Sequence, residues 1–208
     1  MSDLPFTPAD LGLAARFDAC LDIEDKIPRA LDALGPMADR DVLLVDPAEG
    51  RWGGRLAALG ARVTGLSDPA PAGRFPAVDH SADALVSLWS SFRAPSPGEL
   101  QDADRILRPG GRLLVVQDYG RDDVSGLRGD LPEYGDWSRR DGWYLTNGFR
   151  IRVIHCFWTF DSIDEARSFL ADAFAGPGEV VGAALRRPRL SYNVAVYHRS
   201  RPDQEPAA

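Results

Sequence analysis

Apolar residues recur at alternating three- and four-residue steps at the start of the chain. In SDLPFTPADLGLAARFDACLD the positions Leu11, Ala14, Ala15, Phe17 and Leu21 predict an amphipathic helix. IEDKIPRALDALGPMADR predicts a second helix, with Ile27, Leu31 and Leu34 on one stripe and Gly35-Pro36 as its stop. DVLLVD, from Asp41, has no alternation; a short unbroken apolar run of this kind suits a strand covered on both faces. RWGGRLAALGA predicts a short helix with Trp52, Leu56 and Leu59 turned inward and Gly60 at its end. RVTGL predicts the next strand.

A Pro-containing polar stretch, SDPAPAGRFPAVDHSAD, predicts a loop, and ALVSLW a third strand. PSPGELQDADRILRPGG predicts a helix with Ser96-Pro97 at its start and Glu99 in its first turn; Leu100, Ala103, Ile106 and Leu107 face inward. Pro109-Gly110-Gly111 predicts a tight turn into the strand RLLVVQDY. Residues 121 to 147 are less regular and predict a loop and a helix, with Trp137, Trp143 and Tyr144 set among charges. FRIRVIHCFWTF and RLSYNVAVYHRS alternate and predict two further strands, an antiparallel pair at a sheet edge. Between them SIDEARSFLADAF predicts a helix opened by a Ser162 and Glu165 capping box.

Strands alternating with helices imply right-handed crossovers and a mostly parallel, doubly wound sheet in a three-layer α/β fold. The expected layout is one domain over 1–199: N-terminal helices over 1–36, a Rossmann-like core over 37–120, and a C-terminal helix with edge strands over 121–199. A frayed tail over 200–208 follows.

Composition narrows the function classes. The 208 residues carry a net charge of −7, with 44% hydrophobic and 26% charged residues, as expected of an ordinary globular chain. The acidic balance argues against an extended nucleic-acid surface. Lys26 is the only lysine, an arginine preference that carries no binding signal. Cys20 and Cys156 form neither a disulfide framework nor a metal knuckle and are expected as buried thiols. His80, His155 and His198 share no ligand spacing, so no metal is expected. With no signal-like or membrane-length apolar run, the expectation is a cytoplasmic protein without a membrane contact.

Three stretches resemble the class I S-adenosylmethionine (SAM)-dependent methyltransferases. VLLVDPAEGRWGGRLAALGARVTGL resembles their strand, glycine loop, helix and strand; RFPAVDHSADALVSLW resembles their LPF-x-D-x-S-F-D-x-V stretch; LQDADRILRPGGRLLVVQDY resembles their RvLkPGGrl turn and strand. The closing strand, helix and strand fit as well, so the resemblance runs over roughly residues 35–199. It implies a cofactor, SAM, lying across the carboxyl ends of the parallel strands. It also implies methyl transfer to a small-molecule acceptor, accelerated largely by proximity and orientation. Carried over residue by residue, the cofactor-contacting positions are Asp46, Ala48, Glu49, Gly50, Ser67, Asp68, Asp79, Ser87, Leu88 and Trp89.

The departures from the family pattern have physical consequences. Gly50 falls on the last glycine of the family's loop, but Ala48 and Asp46 stand on the two before it, and Leu44 on its acidic position. Asp46 and Glu49 bring carboxylates near the carboxylate end of the implied cofactor, at a cost on the order of 1 kcal/mol even when water-screened. Glu49 has the alternative of pairing with the cofactor's ammonium, and Pro47 removes one N–H from the turn. The acidic position ending the second strand becomes Ser67, with Asp68 one place late. Only fifteen steps separate Asp68 from Asp83, too few for the helix and third strand that the family places there. These changes weigh toward an alternative: a non-catalytic relative, retained as a binding or regulatory partner of another protein or as a homodimer.

Other positions carry weaker expectations. Asp79 reads as a solvated carboxylate or a contact to the adenine amine, and Asp83 as orienting entry to the third strand. Asp118 and Tyr119 end a strand on the crevice side and are positional candidates to face an acceptor, with no catalytic base assigned. Trp137, Trp143 and Tyr144 read as a hydrophobic seam or as a lid, and LRRPRL, from Leu185, as a solvated basic edge or a phosphate site.

Overall fold

The computed structural model describes residues 10–45, 51–66, 74–93, 96–129, 131 and 133–202. The first helix, α1 (Leu11–Cys20), starts where Asp10 accepts a hydrogen bond from the Leu13 N–H at 2.9 Å. Residues 1–9 of the expected helix lie outside the described residues. Then come α2 (Lys26–Leu34), β1 (Asp41–Val45), α3 (Arg51–Ala57) and β2 (Arg62–Leu66). β3 (Ala82–Leu88), α4 (Pro97–Ile106) and β4 (Leu107–Asp118) complete the alternating part.

The sheet has six strands in the order β2-β1-β3-β4-β6-β5, where β5 is Arg150–Thr159 and β6 is Arg189–Ser200. β2, β1, β3 and β4 run parallel, and β6 is antiparallel to both β4 and β5. The expected α/β class and antiparallel edge pair are therefore observed. Among the described residues β2 is an edge strand, and most of its residues are exposed. Between β2 and β3 the described residues, 74–81, hold no strand.

Alternate residues of each strand enter opposite layers, because side chains in a strand alternate between faces. Val42, Leu44, Val86, Leu88, Leu114 and Val116 face a cluster with Phe17, Ile27, Leu31, Trp52 and Phe169. Leu43, Val45, Leu85, Leu113 and Val115 face a second cluster with Leu100, Ala103, Ile106, Trp137 and Tyr144. The sheet is thus sandwiched between two helical layers, each supplying the apolar stripe that its strands lack.

Local chemistry sets several boundaries. Ser96 accepts from the Glu99 N–H at 3.2 Å and opens α4 as expected. Pro109-Gly110-Gly111, expected as a tight turn, lies inside β4, where the register against β3 shifts between Ala82 and Ala84. Gly110 sits at φ +74°, and a Cβ on Gly111 would stand 2.8 Å from the Arg108 carbonyl oxygen and 3.1 Å from that of Asp83. Glycine at 111 is therefore a condition for the two backbones to approach so closely.

Two expectations need correction. Residues 121–147 hold three short helices, α5 (Asp123–Arg128), α6 (Glu133–Ser138) and α7 (Trp143–Thr146), instead of one. The helix beginning at Ser162 does not stop at Phe174: α8 spans Ile163–Ala184, with a break at Ala175 (φ 49°, ψ −132°) before Pro177. At that break the backbone turns so tightly that a Cβ on Gly178 would fall 1.9 Å from the Leu170 carbonyl oxygen. The proline and glycines redirect the helix; the amphipathic pattern then resumes with Val181 and Leu185 packed on the core.

Candidate functional site

β1 is flanked by β2 on one side and β3 on the other, so the chain leaves β1 in one direction and returns on its opposite side. The connections on the two sides diverge there, which makes the carboxyl ends of β1 and β3 the topological switch point, the place where doubly wound folds form a ligand crevice. Among the described residues Val45 and Leu66 end β1 and β2 there, Trp89 follows β3, and Trp52 lies in the first turn of α3; Val45, Trp52 and Trp89 are buried. Asp46, Ala48, Glu49, Gly50, Ser67 and Asp68 lie outside the described residues.

The first turns of α3 are held by the two N-terminal helices. Arg51 donates to the Leu21 carbonyl at 3.1 Å, and its guanidinium lies 3.5 Å from Asp18. Arg55 lies 3.8 Å from Asp22 and 3.4 Å from Asp25, and both arginines flank the Trp52 ring. Asp22, 2% exposed, accepts the Lys26 and Ile27 N–H groups at 3.0 and 2.8 Å. Burial pushes its carboxyl above the usual aspartate range, against the opposing pull of those N–H groups and Arg55.

Ser87, Leu88 and Trp89 are brought to the end of β3, as the sequence implies, and all three are buried. Trp89 leaves the strand at φ 46°, a left-handed conformation uncommon for a bulky residue. The turn directs its indole between Trp52, at 5.6 Å, and Tyr192, at 6.4 Å. The indole N–H donates to Asp118 at 3.1 Å. Asp118 also accepts from the Tyr192 hydroxyl and pairs with Arg128 of α5. At 2% exposure, this carboxylate joins β3, β4, α5 and β6. Its several donors and depth suit a structural junction between elements better than an acceptor-facing group. Tyr119 is only partly covered, and the Arg121 guanidinium stands 5.7 Å from its ring.

The segment after Trp89 is equally fixed. The Ser87 hydroxyl and Gln117 amide donate to the Ser91 carbonyl, each at 3.2 Å. The Phe92 N–H, at a residue with φ 66°, donates to Glu99 at 2.7 Å. The Tyr144 hydroxyl donates to the Phe92 carbonyl at 2.5 Å, and its ring stacks on Tyr197 at 3.9 Å. Trp137 and Tyr144 are buried in the core, and Trp143 packs against it, so these aromatics form the seam rather than a lid.

Asp79 is 63% exposed and pairs with Arg105 at 2.5 Å. Arg105 also donates to the Ala77 and Phe75 carbonyls, and to Asp102 at 2.6 Å. Asp102 accepts the Phe75 N–H at 2.6 Å and Arg74 at 3.1 Å. This α4 pair therefore clamps residues 74–79 onto the scaffold. Asp83 lies at the opposite end of the sheet, accepting the Asp41 N–H at 2.9 Å and meeting Arg108 at 2.9 Å, where it orients entry to β3. The clamp and the Trp89–Asp118 junction had no sequence signal beyond residue type, since each depends on partners far along the chain.

Among the described residues no group of three or more His, Cys, Asp or Glu side chains is arranged to hold a metal ion. No helix among them is long and apolar enough to cross a membrane. Cys20 and Cys156 are free, buried thiols.

No protein-family model matches the chain, and no curated protein does. Solved structures do. A chain described as a methyltransferase of an antibiotic biosynthesis pathway in Anabaena variabilis aligns at TM-score 0.54 and 14% identity, covering 87% of this chain and 99% of that one. A SAM-dependent methyltransferase from Aquifex aeolicus aligns at TM-score 0.53 and 15% identity, covering 93% and 98%. A chain from the complex of a methyltransferase activator with a methyltransferase, from Haloferax volcanii, aligns at TM-score 0.54 and 17% identity, covering 96% and 95%. The chain has the fold of the class I SAM-dependent methyltransferases.

Proposed function

We propose that the crevice at the β1–β3 switch point takes SAM and that the protein transfers its methyl group to a small-molecule acceptor. The observation that carries this reading is the reversal of strand order about β1, the switch point at which doubly wound folds bind nucleoside cofactors. Apolar and aromatic residues gather at those strand ends: Val45, Trp52 and Trp89 are buried there, and Leu66 is half-buried. Polar contacts to the ribose and amino-acid portion fall to Asp46, Ala48, Glu49, Gly50, Ser67 and Asp68, with Ser87, Leu88 and Trp89 as the wall; Asp79, paired with Arg105 ahead of β3, sits at the other end of the sheet and takes no part.

Bound SAM supplies a sulfonium-activated methyl group. The protein's own contribution is to orient and desolvate, since Asp118 is held by Trp89, Tyr192 and Arg128 and is poorly placed to take a proton. The reading therefore favours an acceptor already nucleophilic when bound, with rate arising from alignment.

A second reading is a non-catalytic scaffold that binds or regulates a protein partner. It is favoured by the Trp89–Asp118 junction, which fills the floor of the crevice with the protein's own side chains. Isothermal calorimetry with SAM and S-adenosylhomocysteine separates the two. Binding tighter than about 100 µM, some −5.5 kcal/mol, supports the enzyme. No heat with either nucleoside, from protein that unfolds cooperatively, supports the scaffold.

A further inference from the structure

A cavity of about 350 Å³ lies between the second half of α8, the start of α5 and the start of β6. Leu185, Leu190 and Val181 give it an apolar wall, and Arg186, Arg187, Arg189 and Asp123 stand around it. Its volume is at the small end of organic-ligand sites. Asp118 pairs with Val194, so residues 189–193 reach past the carboxyl end of β4. The cavity is therefore at the same end of the sheet as the crevice, beyond the Asp118 junction.

Its charge balance is unusual for this chain. The net charge is −7, and most described arginines face carboxylates, as Arg16, Arg55, Arg62, Arg105, Arg108 and Arg199 do. Arg186 and Arg187 are exposed and have no ion pair or side-chain hydrogen bond among the described residues. Arg189 is steadied over the Phe157 ring at 4.3 Å. The one lining carboxylate, Asp123, accepts the Ser191 N–H at 2.8 Å and its hydroxyl at 2.7 Å, so it is fixed to β6. Guanidinium groups gathered in this way match the geometry and charge of carboxylates and phosphates.

We propose that this cavity binds a small organic anion, a carboxylate or phosphate ester whose apolar body rests on Val181 and Leu185 while Arg186 and Arg187 take its charge. The site stands independently of whether the crevice binds SAM. Where the crevice is active, the cavity offers a second anchoring point at the same end of the sheet.

The test is calorimetric titration of the full chain with phenyl phosphate, phenylacetate, inorganic phosphate and the uncharged benzyl alcohol. Phenyl phosphate or phenylacetate binds with a Kd below about 1 mM; which is tighter decides between phosphate and carboxylate, and inorganic phosphate binds more weakly than phenyl phosphate. The double change Arg186→Ser with Arg187→Ser weakens binding at least tenfold without moving the melting temperature. Arg150→Ser with Arg152→Ser, at the far end of β5, leaves binding as it was. Benzyl alcohol binding as tightly as the anions, equal binding by the 186/187 variant, or no binding of either aromatic anion would overturn the proposal. So would a single-stranded oligonucleotide that binds through these arginines more tightly than every small anion, which would make the surface a nucleic-acid contact.

Discussion

Replacing Asp118 with Asn keeps the shape of the side chain and removes its charge. The native carboxylate is 2% exposed and faces three donors: the Trp89 indole, the Tyr192 hydroxyl and the Arg128 guanidinium, itself 11% exposed. The amide oxygen of Asn can keep one or two of these bonds, but its NH₂ would point a donor at a donor. A hydrogen bond to a charged group contributes about 1.5–3 kcal/mol, and breaking a buried ion pair from one side costs about 3–5 kcal/mol. The lost terms overlap, so the expected destabilisation is about 3 kcal/mol. For a chain of this size that lowers the melting temperature by roughly 6–12 °C. The assay is urea unfolding followed by circular dichroism, with thermal melting as a second probe. Asp118→Leu combined with Arg128→Leu recovers part of the loss, because no charge is then left facing an apolar partner. A loss below about 1 kcal/mol for Asp118→Asn, with altered ligand chemistry instead, would refute the structural assignment and make Asp118 a site residue.

The remaining expectations follow from other parts of the fold. Burial pushes the Cys20 thiol up to about 12 and raises Cys156 as well, so a thiol reagent at pH 8 labels neither cysteine in the folded protein and both in denaturant. Burial acts to raise the Asp102 carboxyl, but Arg105, the Phe75 N–H and Arg74 outweigh it and hold it below the usual aspartate range. A depressed carboxylate adds stability above its unfolded value, near pH 4, that is lost as pH falls through the folded value. Asp102→Asn should therefore cost about 2 kcal/mol at pH 7, and the difference from the parent should shrink in melts below about pH 4. Asp46→Gly combined with Ala48→Gly should tighten SAM binding in the same calorimetric titration, since it removes a carboxylate and a methyl from the turn; unchanged affinity would place the weakness elsewhere in the crevice wall.

Much of the scaffold was legible because its signals are local. Ser96 and Ser162 cap the helices that their spacing predicts, and Asp41–Val45 shows the unbroken apolar run of a strand covered on both faces. Pro109-Gly110-Gly111 reads as a tight turn in the sequence but lies inside β4, and only the register shift against β3 explains why glycine is needed at 111. The second half of α8 was not legible, because Pro177 and its neighbouring glycines ordinarily end a helix and here only redirect it. The placement of 87–89 and 118 at strand ends was legible, but the chemistry around them was not. Whether Asp118 meets an acceptor or a guanidinium depends on Arg128 and Tyr192, and their approach is set by tertiary packing. The arginines at 186–189 were visible as a basic run; the cavity beside them arises only from the extension of α8 over β6.

The five tryptophans offer the most direct test of where a nucleoside binds. Trp52 and Trp89 stand at the crevice, 5.6 Å apart; Trp137 and Trp143 pack with the opposite helical layer, and Trp158 lies in β5. In a ¹⁵N–¹H spectrum of the indole N–H groups, titration with S-adenosylhomocysteine should move the Trp52 and Trp89 resonances together, with Trp137 and Trp143 unchanged. Five static indole signals at saturating nucleoside, or movement confined to Trp137 and Trp143, would contradict the assignment of the β1–β3 crevice as the cofactor site.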